Sequence, residues 1–243
     1  MQCFFRKNVY LCRHNNQNNE NMEDNHYLHC YKMVWDTEFA PNPHHGVLTL
    51  ATCKPRIRKY AKVGDWISGW TAIKVHDKDN RIINFPKDDE RLIYLAKVTE
   101  KLTFEKYWYK YKNKRPHLLK DGKPQPRKGN KSCGAGKSDG TQYNSGDNIY
   151  EPLKRFGKFK QHPNGGGHGE KDVAHDLSGE YVLICEDFYY FGVHQACIID
   201  SNISPRPIPR WKKVGIADAQ PLISFIQNNF KPGIVTNDES NLK

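Results

Sequence analysis

Residues 27–35 read Tyr-Leu-His-Cys-Tyr-Lys-Met-Val-Trp, a run of β-forming residues of strand length that ends at Asp36. Runs of similar character recur along the chain at 66–73, 92–98, 149–150, 181–185 and 188–191. The connections between these runs are loops and hairpin-like turns rather than regular βαβ units. The sequence therefore predicts an α+β fold with a curved or barrel-like mixed sheet, a few short helices and a C-terminal amphipathic helix.

Three helices are predicted from capping and periodicity. Thr52 is expected to cap a helix that has Pro55 in its first turn, and Thr103 is expected to cap a helix over 104–111. Residues 218–230 carry an apolar stripe and are followed by Pro232 and a glycine, which predicts a terminal amphipathic helix.

The 243 residues are 37% hydrophobic and 27% charged, enough for one core. We expect a single domain over 26–232, a dispensable or disordered extension over 1–25 and a tail over 233–243. No apolar run approaches the roughly 18 residues of a membrane helix, so no membrane partner is expected. Seven cysteines without a C-x-x-C pair indicate neither a disulfide scaffold nor a zinc ribbon. A reducing cytoplasm is the expected location, no cofactor is expected, and the oligomeric state is left open.

The formal net charge of +11 predicts a polyanionic partner, either a nucleotide or nucleic acid. Residues 106–137 form a Gly/Pro/Lys-rich insertion with eleven Lys or Arg against one acid, Asp121. Residues 133–138 end in Gly-Lys-Ser, but position 131 is Lys where a phosphate loop requires Gly. A flexible basic loop explains these residues better than a nucleotide triphosphatase does.

A second polar loop and its surroundings supply candidate catalytic groups. His168 follows three glycines, and His175 stands beside Asp176, so either imidazole is a candidate general base with a carboxylate partner. His175 is the better candidate, because the adjacent carboxylate can orient its ring and raise its basicity. Asp147 and Asp187 are further candidate carboxylates. The histidine spacing matches no defined ligand motif, so no metal is expected. A solvated glycine loop is the alternative explanation for this segment.

Candidate nucleotide-binding residues lie in four other places. Lys54, Arg56 and Arg58 enter a helix, where guanidinium and backbone N–H groups together suit phosphate, although a solvated helix face explains them equally well. The other candidates are polar or aromatic side chains suited to base or sugar: Asn42, Asn148, Tyr150, Tyr189 and Tyr190. On spacing alone, the Gly-Asp-Asn run before Ile149 is also typical of a turn. Trp66 and Trp70 share one side of a strand and are expected in the core rather than as a stacking platform.

These segments together resemble a known family. Residues 39–43, 49–58, 64–67, 97–104, 146–150 and 187–192 look like the second of the nucleotide modification associated domain families, prokaryotic and phage domains found near DNA-base modification genes. The resemblance covers His26 to Ile199 in order, and the basic insertion is the expected departure. A second likeness, to the EVE and PUA-like barrels that bind modified bases, rests on Gly64-Asp65 and the segments around it.

We expect recognition of a nucleotide or of a modified base in nucleic acid, associated with DNA modification or phage defence. The alternative is an enzyme that modifies or hydrolyses a nucleotide through a His/Asp acid–base pair. A third hypothesis is a protein-interaction scaffold whose charge recruits an acidic partner.

Overall fold

The computed structural model describes residues 25–116, 146–154, 157–164 and 166–236. The strands in these ranges are β1 (Tyr27–Asp36), β2 (Leu48–Leu50), β3 (Trp66–Asp77), β4 (Ile82–Asn84), β5 (Leu92–Lys97), β6 (Glu100–Thr103), β7 (Tyr150–Pro152), β8 (Phe159–Gln161), β9 (Tyr181–Cys185), β10 (Asp187–Tyr190), β11 (Lys212–Gly215) and β12 (Gly233–Ile234). The helices are α1 (Pro55–Tyr60), α2 (Phe104–Lys110), α3 (Val173–Leu177) and α4 (Ile216–Asn229).

The largest sheet has the strand order β11-β1-β3-β5-β10-β12, and β4 pairs with β3 outside that path. β1 runs parallel to β3 and β10 runs parallel to β12, whereas the other pairs are antiparallel. A smaller sheet has the order β2-β9-β6, and β7 and β8 form a separate hairpin. The large sheet is therefore mixed, as the loop and hairpin-like connections predict.

The central strands are buried on both faces. In β1, Leu28 and Cys30 pack with α4 on one face, whereas Tyr31 and Met33 pack towards the small sheet on the other. Successive side chains of a strand point to opposite faces, which explains why residues 27–33 are apolar almost throughout. Trp66 and Trp70 lie in the core on the α4 side, so the core interpretation is confirmed. The molecule thus has α4, the large sheet and the small sheet in successive layers.

The predicted N-terminal caps of α1 and α2 can be compared with the structure, and only one of them forms. The backbone N–H of Lys106 donates to Thr103 Oγ1 at 3.3 Å, which confirms the predicted cap of α2. The predicted cap at Thr52 is wrong, because the N-cap of α1 is Lys54, two residues later, and it makes no side-chain cap hydrogen bond. Two residues with positive φ, Cys53 and Lys54, separate Thr52 from the helix, so its hydroxyl is not in capping position. α4 forms as predicted, with Pro221 in its early turns.

The α+β class is confirmed, but the described strands form open sheets and no closed barrel. Most of the basic insertion, including residues 133–138, lies outside the described residues, as do 1–24. The tail expected from residue 233 opens with β12, which pairs with β10. No helix in the described part of the chain has the length and apolar character needed to span a bilayer.

Candidate functional site

A cavity of about 250 Å³ opens where the end of β1, the entry to α1 and the glycine-rich loop before α3 meet. Its lining combines aromatic, glycine and ionisable residues: Trp35, Thr37, Phe39, Ala40, Cys53, Gly166, Gly167, His168, Lys171 and Asp172. Among the described residues, the only cluster of three His, Cys, Asp or Glu side chains with close ligating atoms is here, formed by Cys53, His168 and Asp176. This cavity is therefore the candidate site.

Another cavity, of about 200 Å³, contains three carboxylates but no such cluster. Its Asp36 accepts hydrogen bonds from Tyr190 and from the Val193 N–H. The other two, Glu38 and Asp77, are paired with basic side chains. These carboxylates are therefore engaged within the fold.

Cys53 occupies a sharp turn between β2 and α1. Its φ is 55°, and φ of the following Lys54 is 41°, so two consecutive non-glycine residues adopt the left-handed region. Each such residue costs on the order of 1 kcal/mol or more, and the surrounding structure must hold it in place. The turn ends the strand within a few residues and places the Cys53 thiol on the cavity wall.

Arg58 holds this turn from inside the protein. Its buried guanidinium donates to the backbone carbonyls of Cys53 at 2.7 Å, Tyr181 at 2.8 Å and Asp176 at 2.5 Å. Burial lowers the pKa of Arg58 to about 10, an effect that the nearby Asp176 carboxylate partly opposes. A methyl group on Gly179 would lie 2.4 Å from this guanidinium. Arg58 therefore fixes α1, β9 and α3 relative to one another.

His168 lies between the thiol and a carboxylate. Its Nε2 is 3.4 Å from Cys53 Sγ, and its Nδ1 is 2.6 Å from Asp176 Oδ2. Asp176 is fully buried; its Oδ1 accepts the Cys53 N–H at 2.9 Å, and its Oδ2 also accepts the Tyr150 hydroxyl at 2.7 Å. Asn164 orders the loop, since its Oδ1 accepts the His168 N–H at 3.2 Å. The result is a Cys–His–Asp relay with a tyrosine on the carboxylate.

His168 and Asp176 each stabilise the charged form of the other. Burial alone would lower the pKa of His168, but its hydrogen bonds to Asp176 and Cys53 outweigh burial and raise that pKa to about 10. Burial would likewise raise the pKa of Asp176, but the hydrogen bond and charge of His168 outweigh it and lower that pKa. At neutral pH the site thus contains an imidazolium beside a carboxylate. A positive imidazole next to a cysteine favours the thiolate, the reactive form of the side chain.

A metal is the other chemistry that this residue set suggests. The ligating atoms of the three side chains lie within 4.8 Å of one another. However, His168 directs one ring nitrogen to Cys53 and the other to Asp176, so one ion cannot replace both contacts. With this ring orientation, an ion at the thiol would take two protein ligands, and Asp176 would only orient the imidazole. Zinc sites usually take three or four protein ligands, so the geometry favours a proton relay over a chelate.

The structure brings together three of the residues predicted from sequence: His168, Asp176 and Tyr150. His175 is next to Asp176 in α3 but is exposed. Asp147 is fully buried elsewhere, where it accepts hydrogen bonds from Thr49 and Tyr107 and burial raises its pKa. Asp187 begins β10 and does not line the cavity.

The predicted nucleotide-binding residues are dispersed, and several are internal. The buried amides of Asn42 and Asn148 bond within the fold, the first to Lys114 and the second to backbone carbonyls of α2 and Tyr111. Tyr189 and Tyr190 are also buried, on opposite faces of β10. Two cations lie over aromatic rings: Lys54 Nζ is 4.5 Å from the Tyr31 centroid, and Arg56 Cζ is 4.8 Å from that of Trp211. None of these six lines the candidate cavity.

Reasoning from sequence missed Cys53 and Trp35. A single cysteine has no spacing pattern, and its partners lie 115 and 123 residues away along the chain. The available signal was its position between a short apolar strand and a proline-initiated helix, together with histidines elsewhere in the chain. Trp35 ends the first predicted strand, and nothing in the sequence around it indicates a role in a binding site.

The family model described as nucleotide modification associated domain 2 matches residues 25–238, which is most of the chain. The chain belongs to this family. The resemblance seen in the sequence is thereby confirmed, and the family name associates the domain with nucleotide modification. No curated protein and no solved structure matched the chain. The relay of Cys53, His168 and Asp176 therefore lies within the matched domain.

Proposed function

We propose that this nucleotide modification associated domain is a cysteine-dependent enzyme that cleaves or transfers an acyl group carried by a nucleotide or by nucleic acid. The observation that carries the proposal is the position of His168, with one ring nitrogen 3.4 Å from the Cys53 thiol and the other 2.6 Å from Asp176. Nucleophile, base and orienting carboxylate in this order are the constellation of acyl-transfer enzymes. The family name supports a nucleotide as carrier of the acyl group.

In the proposed reaction the Cys53 thiolate attacks the acyl carbonyl carbon and forms a carbon–sulfur bond. The bond from that carbon to the leaving oxygen or nitrogen then breaks, and the His168 imidazolium donates its proton to the leaving group. Neutral His168 next takes a proton from water, or from an acceptor hydroxyl or amine, which attacks the thioester and releases the thiolate. Asp176 keeps the imidazole oriented and stabilises its positive form throughout.

Tyr150 is proposed as a positioning residue rather than a catalytic one. Its hydroxyl donates to Asp176 Oδ2 and accepts from Gln161 at 3.1 Å, so it lies behind the carboxylate. A carboxylate held by three donors remains ionised and keeps one orientation. The hydrogen bond from Tyr150 therefore holds in place the carboxylate oxygen of Asp176 that faces His168.

Recognition of a nucleotide or modified base in nucleic acid remains a second candidate function, favoured by the net charge of +11. It is compatible with the enzyme proposal, since a basic surface would bring a nucleic-acid substrate to the cavity. Backbone attraction of this kind weakens steeply with salt. A dissociation constant for DNA or RNA that stays unchanged between low and moderate salt contradicts the proposed binding of nucleic acid. A link to phage defence and the likeness to PUA-like and EVE domains remain predictions.

The enzyme proposal is tested with a generic acyl donor, p-nitrophenyl acetate. Wild-type protein is expected to release nitrophenolate faster than Cys53→Ser and to carry an acetyl group on the Cys53 peptide after rapid acid quenching. Cys197→Ser is the matched control, because Cys197 is also partly exposed and lies outside the cavity. Equal rates for wild type and Cys53→Ser, with no acetylated Cys53 peptide, contradict the proposal.

A further inference from the structure

Trp35 is an exposed aromatic side chain held in a fixed orientation at the cavity. It lies near the end of β1, where the pairing with β3 shifts register after Met33. His76 of β3 stacks on it with the ring centroids 4.0 Å apart and the planes 20° from parallel. The imidazole is itself held, because its Nδ1 lies 3.1 Å from the side-chain oxygen of Asn80. The indole is thus supported by a ring on one side.

This support does not bury the indole. Trp35 is 39% exposed although it is stacked on His76, and it lines the same cavity as Cys53 and His168. Single exposed apolar side chains are ordinary, but a tryptophan braced by a parallel ring and open to a cavity with a nucleophile is a preformed stacking surface. A planar heteroaromatic ligand gains by stacking there, since every nucleobase has such a face.

We infer that Trp35 binds the base of the substrate by stacking, and that the acyl group cleaved at Cys53 is carried on the base itself. This inference rests on the proposed function, which it deepens by naming the substrate class as a base acylated on its exocyclic amine. Trp35 and Cys53 line the same cavity, so a base stacked on the indole would bring an acyl arm on its exocyclic amine to the thiol. An acyl group on the ribose would place the sugar, not the base, beside the thiol.

Hydrolysis of the acylated base would follow the same steps as the acyl transfer proposed above. The thiolate attacks the acyl carbon, the amide carbon–nitrogen bond breaks, and His168 donates its proton to the exocyclic nitrogen. Water then hydrolyses the thioester, so the products are the free base amine and a carboxylic acid.

The test first uses binding, measured by calorimetry on Cys53→Ser protein, with cytidine acetylated on its exocyclic amine as the probe. Adding Trp35→Ala is expected to weaken binding about 5- to 150-fold, the range for loss of one base–aromatic stack. Trp35→Phe is expected to retain most of the affinity. Tyr109→Ala is the matched control, because Tyr109 is an exposed aromatic of α2 outside the cavity. Thermal unfolding confirms that each variant is folded.

The second arm compares cleavage of the base-acetylated cytidine with that of a cytidine acetylated on the ribose, using wild-type protein. Preferential cleavage of the base-acetylated compound supports the inference. Cleavage of the ribose ester alone, or binding that is unchanged by Trp35→Ala or not measurable, overturns it. If Trp35-dependent binding occurs while no acyl donor is cleaved through Cys53, the stacking role stands and the proposed enzyme function fails. If p-nitrophenyl acetate is cleaved but neither cytidine is bound, the inference fails and the enzyme proposal stands.

Discussion

Replacing Asp176 with asparagine is expected to lower the pKa of His168 from about 10 towards its ordinary value of 6.5. The change removes the negative charge 2.6 Å from Nδ1 while keeping the size of the side chain. The difference between about 10 and 6.5 corresponds to roughly 5 kcal/mol at 1.36 kcal/mol per pH unit. This is a net figure, because burial opposes the increase and Cys53 contributes to it together with Asp176.

The assay is an NMR titration of histidine ring signals, with His168 assigned from the spectrum of His168→Asn. Wild-type His168 should remain protonated through pH 8, whereas in Asp176→Asn it should titrate near neutral pH. Asp218→Asn, an exposed carboxylate change in the first turn of α4, should leave the titration unchanged. A wild-type His168 that titrates between pH 6 and 7 would refute the reasoning.

The same ion pair makes stability depend on pH. Because the folded-state pKa of His168 lies above its unfolded value of 6.5, its contribution is fully present below pH 6.5 and is lost as the pH rises to about 10. Wild-type free energy of unfolding, measured with urea, should therefore decline across this window more than that of Asp176→Asn. Parallel declines in the two proteins contradict the assignment.

Three further predictions concern the surroundings of the site. Arg58→Met removes the guanidinium donors to three internal carbonyls and is expected to cost about 3–5 kcal/mol in urea unfolding; a loss below about 1 kcal/mol contradicts it. Gly166→Ala places a methyl group 2.1 Å from the Phe39 ring, so we expect about 1–3 kcal/mol of lost stability and slower nitrophenolate release; wild-type stability and rate contradict it. Burial raises the pKa of Asp36 from 3.8 to about 6 despite its hydrogen bond from Tyr190. This group alone should therefore make unfolding free energy rise by up to about 3 kcal/mol as the pH falls from 7 to 4. Asp36→Asn should lack this component, and equal pH profiles contradict it.

The sequence predicts the sheet strands well because burial on both faces demands long apolar runs, as in Tyr27–Asp36 and Trp66–Asp77. It fails at Thr52, because a threonine before a proline-initiated helix is typical of a cap and the left-handed turn at Cys53 carries no sequence signal. A local sequence pattern identifies residue types that cap helices, but it does not specify the backbone path between those residues and the helix.

The site is predicted only in part for a related reason. Proximity in sequence pairs Asp176 with the adjacent His175, which is exposed, whereas the residue that contacts Asp176 is His168, a candidate from the glycine-rich loop. Cys53 reaches them only through tertiary contacts. Arg58 and Asn42 have the chemistry to bind a ligand, but the same donors and acceptors satisfy internal polar groups. Residue type alone does not distinguish these two uses.

The central claim is that His168 activates the Cys53 thiol. The direct measurement is the rate of iodoacetamide alkylation of the Cys53 peptide between pH 6 and 8, in wild type, His168→Asn and the exposed-neighbour control His175→Asn. Wild type and the control should react at similar rates, and His168→Asn should react at least about tenfold more slowly at pH 6, because it lacks the imidazolium 3.4 Å from the Cys53 sulfur. Superimposable profiles for wild type and His168→Asn would contradict the claim.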